Sequence, residues 1–222
     1  MLRFDYKQNY VVFDFETLNL CINQGDTELQ APWQLGYIIA KGNKILKSIE
    51  DYIFWEDFHN KAENYGKEAL QITQFNKEKY DAEAKDASLV LSSFDNYLLD
   101  NSYISVSANG INFDQYIYNL YRTMIGLPYN RDWHNTHCDI QCLEKAKELK
   151  MTVPPIGSDS WGVFMLKMSN VVEKGLKVSL SYLCKKYSID YDSSKHHVEA
   201  SYDCLKTYEI FLEQIKTIPV SK

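Results

Sequence analysis

The run Tyr10-Val11-Val12-Phe13-Asp14-Phe15-Glu16-Thr17-Leu18 constrains the fold more than any other stretch, because it is apolar enough for a buried strand yet carries two acids. Side chains alternate faces along a strand, so Asp14 and Glu16 share one face while Phe13 and Phe15 share the other. Two carboxylates crowded on one small patch repel each other unless a cation or a shared proton offsets the repulsion. A divalent metal is the simplest offset. An edge strand with a solvated acidic face is the competing reading, and this run alone does not separate the two.

After Leu18 the chain reads as a loop over 19–27, a strand over 33–40, a tight turn at Gly42-Asn43 and a strand over 44–54, a meander of antiparallel strands. A helical patch closes over 69–73. Leu89, Leu91, Phe94, Tyr97 and Leu98 predict a helix over 86–99, followed by a short strand over 103–107. An Asn109-Gly110 turn then opens a helix through Tyr116, Ile117, Leu120, Tyr121 and Met124, with Asp114 in its first turn. The helix dipole favours an acid there, and a strand end leading into a helix is also where α/β proteins place working residues. Between 126 and 175 the pattern weakens around Pro128, Trp133, Pro154-Pro155, Gly157 and Trp161, with one helical piece over 143–149, and reads as an insertion decorating the core. A helix over 176–187, a polar loop over 188–195, the pair His196-His197 and a closing helix through Asp203, Tyr208, Phe211, Leu212 and Ile215 complete the chain. Strands first, then helices alternating with a strand, predict an α/β fold: a mixed sheet flanked by helices.

A chain of 222 residues suits one domain. Its net charge of -6 gives no long-range attraction for a polyanion, which argues against a passive nucleic-acid coat but not against an enzyme whose acids bind metal. From Lys145 to Lys186 eight lysines face three acids, either a basic rim for phosphates or solvated helix faces. Five cysteines (Cys21, Cys138, Cys142, Cys184, Cys204) without framework spacing, no leader and no long apolar run predict a cytoplasmic protein with reduced thiols and no membrane segment. His134, His137, Cys138 and Cys142 stand at zinc-like intervals, but the adjacent His137 and Cys138 fit one tetrahedral ion poorly. Cys184 and Cys204 read as packing residues of their helices.

Three acid sites thus stand in a definite order: Asp-x-Glu in the first strand, an Asp opening the helix after an Asn turn, and an Asp in the last helix soon after a His pair. In that order they resemble the His-bearing branch of the DEDD superfamily of 3'-5' exonucleases, the group of proofreading subunits and exonuclease I-like nuclease domains. The first motif matches Phe13 to Thr17, the second Asn109 to Asp114 and the third His197 to Asp203; Gln34-Leu35-Gly36, Ile72-Thr73, Asp139 and residues 180–189 fit as well. The resemblance implies an RNase H-like fold in a single exonuclease domain over 1–222, with 126–175 inserted between the second and third motifs. It implies that Asp14, Glu16, Asp114 and Asp203 hold two divalent ions, Mg2+ or Mn2+, about 4 Å apart. His197 would take a proton from the attacking water, and Thr17, Leu18, Asn109 and Phe113 would contact the terminal nucleotide.

The implied partner is the 3' end of a single-stranded nucleic acid, DNA before RNA, with nucleoside 5'-monophosphates as products. An exoribonuclease or oligoribonuclease is one alternative, and an inactive RNase H-like nucleic-acid-binding or adaptor protein is another. No polymerase-clamp segment is recognisable. The chain departs from the family at the histidine: the family places four residues between His and the final Asp, whereas five separate His197 from Asp203 and six separate His196 from it. Val198 occupies the family position and cannot act as a base. The Tyr-bearing branch would have its tyrosine at Glu199. His197 is the preferred base, since a loop before the helix can absorb one residue without rotating Asp203, and His196 is the alternative. Tyr129, Trp133, Trp161 and Phe164 are either stacking surfaces for single-stranded bases or buried anchors of the inserted segment, the second being preferred.

Overall fold

The computed structural model of the chain describes residues 5–18 and 31–219; Cys21 and the loop expected over 19–27 lie outside them. Strand β1 (Asn9–Thr17) pairs antiparallel with β2 (Pro32–Lys41), which pairs antiparallel with β3 (Lys44–Phe54) across the turn at Gly42. Three short helices follow, α1 (Phe58–Tyr65), α2 (Lys67–Ile72) and α3 (Lys77–Glu83). Only α2 has a counterpart in the sequence reading. Helices of about two turns are too short for a period to be read reliably from apolar spacing.

The two-residue strand β4 (Lys85–Asp86) pairs parallel with the end of β3 and leads into α4 (Ala87–Leu98), whose first N–H groups are capped by the Asp86 carboxylate. Strand β5 (Tyr103–Ser107) lies parallel to β1, and α5 (Asp114–Met124) follows. Strand β6 (His137–Asp139), α6 (Ile140–Glu148), α7 (Asp159–Ser169), α8 (Leu180–Lys186) and α9 (Ala200–Ile215) complete the order. The sheet runs β4-β3-β2-β1-β5-β6 and is mixed. Among the described residues no helix is long and apolar enough to cross a membrane.

The segment 126–175 does more than decorate. Its strand β6 pairs with β5 and forms one edge of the sheet, and Leu143, Ala146, Trp161 and Met165 of α6 and α7 are fully buried in the main core. Three residues are too few to show strand alternation, which is why the sequence does not reveal β6. Trp161 anchors the segment by donating its indole N–H to the His137 carbonyl at 2.6 Å. Helix α8 begins at Leu180, later than the expected 176, because the Ser179 hydroxyl caps it by accepting from Tyr182 N–H.

The alternation along β1 divides the core. Val11, Phe13 and Phe15 pack with α4 and α5 residues Phe94, Ile117 and Tyr121 on one face. Tyr10 and Val12 meet Tyr208 and Phe211 of α9 on the other, with the Tyr10 ring 5.8 and 5.5 Å from those two aromatic centroids. This second face starts apolar and ends acidic, at Asp14 and Glu16. Helix α9 runs across it, so its C-terminal half covers the apolar end and its first turn covers the acids.

Candidate active site

Glycine sets how closely α9 approaches. Gly36 of β2 pairs with Asp14, and a Cβ on it would stand 2.3 Å from the Ala200 carbonyl carbon and 2.4 Å from Ser201 N. Only hydrogen fits there. Cys204 Sγ reaches the Gly36 carbonyl at 3.2 Å, and Asp203 beside it is carried down onto Asp14 and Glu16. One carboxylate oxygen from each of Asp14, Glu16 and Asp203 can be chosen so that all lie within 4.8 Å of one another.

Asp114 arrives from the opposite side. The parallel pairing of β1 with β5 ends at Val12–Val106, so the far half of β1 outruns β5 and Asp114 Oδ1 accepts the Phe15 N–H at 3.0 Å. The turn that places α5 is held in its own right. Asn109 is left-handed at φ 65°, its carbonyl accepts from Asn112 and Phe113 N–H, and Gly110 leaves room for Ser107, whose Oγ would lie 1.8 Å from a Cβ. The buried Asp139 carboxylate accepts from Ile111 N–H and caps α6 through Gln141 and Cys142 N–H. A single acid therefore ties the Asn turn to the next helix.

Crowding and burial perturb these acids. Burial, reinforced by Asp114, Glu16 and Asp203, raises the Asp14 carboxyl well above its ordinary range, although part of Asp14 opens to the cleft. Asp114, 1 % exposed, is pushed up to about 8, by burial first and then by Asp139 and Glu16, against the Phe15 N–H bond. Burial likewise raises Glu16, opposed by His197. Crowded carboxylates that resist ionising are what a hard divalent cation relieves, and the oxygens of Asp14, Glu16 and Asp203 lie close enough together to hold one.

Both histidines face the acids. The residue in excess of the family spacing sits in turns between Ser193 and Val198, where His197 takes φ 62°. His196 Nδ1 lies 2.9 Å from both oxygens of Asp203, whose Oδ2 also accepts the His197 backbone N–H at 2.9 Å. His197 Nδ1 lies 3.7 Å from Glu16 Oε1, and the two imidazoles stack with centroids 3.6 Å apart. The Glu16 carboxylate raises His197 above its ordinary value, burial opposing.

The cleft, about 320 Å³, is lined by Asp14, Glu16, Thr17, Asn109, Phe113, Asp114, His196, His197 and Asp203. Leu18 is not in it. Leu18 is 1 % exposed and packs in a separate cluster with Trp33, Phe58 and Tyr80, because the β1–β2 register shifts between Glu16 and Thr17 and the strand ends by turning into the core. Phe15, Ala108, Gln141, Ser179, Leu180 and Thr207 complete the wall. Of these Leu180 opens the 180–189 stretch already singled out in the sequence, and Thr207 stands one helical turn beyond Asp203. A larger cavity of about 730 Å³, lined in part by Asn43, Asp190 and Lys206, lies near the β2–β3 turn and the α8 C-terminus, away from the acids.

Other candidate ligands are spent elsewhere. The His137 ring bridges Ser105 Oγ and Ser107 Oγ at 3.0 Å each, and Cys142 Sγ donates to the Met165 carbonyl at 3.5 Å. Among the described residues His134, His137, Cys138 and Cys142 form no metal-ligand cluster. Cys184 and Cys204 are buried packing residues. The lysine-rich stretch is partly tied down: Lys145 donates to the Met168 and Ser169 carbonyls, Lys147 to Tyr187 Oη and Lys186 to Glu144 and Glu148.

No protein-family model and no curated protein matches the sequence. Solved structures do match. The zinc-bound complex of E. coli exonuclease I with single-stranded DNA superposes with a TM-score of 0.66 at 13% identity, over 94% of this chain and 40% of that one. The E. coli exonuclease I complex with a dT13 oligonucleotide gives 0.66 at 14% identity over 95% and 41%. A product-bound exonuclease I gives 0.65 at 14% identity over 96% and 44%. The chain thus spans about 40% of the length of the exonuclease I chains it matches. With its mixed six-stranded sheet flanked by helices, the chain carries the RNase H-like fold of exonuclease I.

Proposed function

We propose that the chain is a metal-dependent 3'-5' exonuclease that removes nucleoside 5'-monophosphates from single-stranded ends, DNA in preference to RNA. The observation that carries the reading is the meeting of Asp14, Glu16 and Asp203 within 4.8 Å, in a cleft that Asp114 also lines. Matched exonuclease I structures include complexes with single-stranded DNA and with a dT13 oligonucleotide, which favours that substrate. On this reading Asp14, Glu16, Asp114 and Asp203 hold two divalent ions, Mg2+ or Mn2+. When bound, such ions supply Lewis-acid stabilisation of the attacking and leaving oxygens.

The remaining work falls to the chain itself. His197 Nδ1 faces Glu16, which leaves Nε2 to accept a proton from the attacking water. His196, clamped across both oxygens of Asp203, orients that carboxylate and the ring stacked on it. Thr17, Asn109 and Phe113 line the cleft where the terminal nucleotide would sit.

The test is degradation of end-labelled single-stranded DNA and RNA of matched sequence, with Mg2+ or with EDTA. Activity persisting in EDTA or in Asp14→Ala would sink the mechanism, and faster RNA cleavage would reassign the substrate. His197→Ala is expected to lose about 10²–10⁴-fold in rate, with His196→Ala losing less. The reverse order would make His196 the base.

A further inference from the structure

Gln34 of β2 stands directly opposite Glu16 in the β1–β2 register. It lies two residues before Gly36, so it shares the sheet face that carries Asp14 and Glu16 and over which α9 packs. Opposed side chains in an antiparallel pair have Cβ atoms about 4.5–5.5 Å apart. At the next step the register shifts: Thr17 pairs with Pro32 and Trp33 is left over, which makes Glu16–Gln34 the last regular pair before the irregularity.

The Gln34 side chain is fully buried, and both its amide nitrogen and its amide oxygen are without a hydrogen-bond partner. Among the described residues it is the only side chain with two such atoms. A buried amide left unpaired is destabilising in a way that an apolar side chain of the same shape is not. Further along β2 this face is apolar, with Ile38 and Ala40 in the main core. Position 34 thus keeps a polar group where burial alone favours an apolar one. Neither amide atom reaches solvent, so the group that meets it belongs to the protein itself. On one flank Tyr52 of β3 stacks its ring on Trp33, with Lys79 Nζ 5.1 Å from its centroid. On the other flank is the Glu16 carboxylate, which in this structure meets Asp203 and His197.

We infer that Gln34 is a positioning residue for Glu16: its amide N–H donates to the Glu16 carboxylate when that group holds a cation, and fixes which oxygen is presented. Carboxylate ligands are themselves held by hydrogen bonds. Asp203 has His196 and the His197 N–H for this, and Asp114 has the Phe15 N–H. Glu16 meets His197 Nδ1 only at 3.7 Å, beyond hydrogen-bond reach. The Gln34 amide is the buried donor across from it. The inference rests on the metal-dependent reading of the acid cleft.

The test titrates Mn2+ alone into the metal-free protein by calorimetry and follows thermal unfolding in parallel. Gln34→Met keeps the side-chain length and removes both unpaired polar atoms. It is expected to melt about 2–4 °C above wild type in EDTA, and to bind Mn2+ about 10–100-fold more weakly. A side chain that only packs would not raise stability without metal while weakening the hold on metal. Mn2+ affinity equal to that of wild type overturns the inference. So does a Tm below wild type in EDTA for both Gln34→Met and Gln34→Leu, the second variant covering a methionine that packs badly. The parent reading fails separately. Weaker Mn2+ binding by Gln34→Met, in a protein whose wild type cleaves no nucleic acid, would keep the positioning role and reject the nuclease. Nuclease activity with unchanged Mn2+ affinity in the variant would reject the positioning role alone, and a wild type that binds no Mn2+ would overturn both.

Discussion

Replacing Asp114 by Asn should make the metal-free protein more stable while removing its response to metal. Asp114 is buried and its carboxyl is pushed up to about 8, chiefly by burial and then by Asp139 and Glu16. A folded-state value above the unfolded one means that the native state binds the extra proton, so stability falls as pH rises from the ordinary carboxylate range toward 8. At pH 7 the unfolded chain has released that proton and the folded chain resists doing so. With each pH unit worth about 1.4 kcal/mol, the interval from 3.8 to 7 sets a ceiling of about 4 kcal/mol.

Asp14 and Glu16 stay ionisable beside it, so the single substitution should recover about half of that ceiling, about 2 kcal/mol. For a domain of this size that is about 4–8 °C in Tm. Asn retains an oxygen to accept the Phe15 N–H, so the backbone contact survives. Thermal unfolding in EDTA at pH 5 and pH 7 reads the effect: the gain should be small at pH 5 and larger at pH 7. Mn2+ or Mg2+ should raise the Tm of the wild type and do little for the variant. A variant that melts lower than wild type in EDTA at pH 7, or that gains as much from Mn2+ as the wild type, would refute the reasoning.

Gly36→Ala should lose activity about 10²-fold or more, because the new Cβ overlaps the α9 backbone at Ala200 and Ser201 and must push Asp203 off the other acids; wild-type turnover would show that the close approach does not matter. Lys186→Ala should destabilise by about 3 kcal/mol in denaturant unfolding, since Glu144 is fully buried and loses its cation, keeping only Tyr187 and Gln214. Burial raises the Glu144 carboxyl, but the bonds from Lys186, Tyr187 and Gln214 outweigh it and hold the group below its ordinary range. The stability this provides is present above the usual carboxylate range and disappears as pH falls through the lowered value, so Glu144→Gln should flatten the acid limb of the unfolding profile; an unchanged limb contradicts the assignment. EDTA should abolish nuclease activity, and added Mn2+ should restore it.

The parts legible in the sequence are those with a strong local period. Strands β1, β2, β3 and β5 and helices α4, α5 and α9 show alternation or helical spacing long enough to read, and the acids sit at their ends, so the cleft can be assembled from motif order. The elements that the sequence hides have no local signature. Strand β6 is three residues long and is specified by its neighbours, through His137 between two serines and Trp161 on its carbonyl. Leu18 continues the β1 motif in sequence, yet the register shift after Glu16 sends it into the core. Gln141 and Ser179 reach the cleft only because helices far apart in sequence converge there. Gly36 is visible as part of Gln34-Leu35-Gly36, but the reason for it, a helix backbone lying where a methyl would be, exists only in three dimensions.

The acids that meet in the cleft come from elements far apart in sequence, Asp14 from β1 and Asp203 from α9. A ribosome makes β1 early and α9 late, and domains are completed only as their later elements emerge. While α9 is still inside the exit tunnel the emerged part of the nascent chain has Asp14 and Glu16 but not Asp203. A protein built in this order is born without its acid cluster and acquires it only once the helix that fits over Gly36 has emerged and docked.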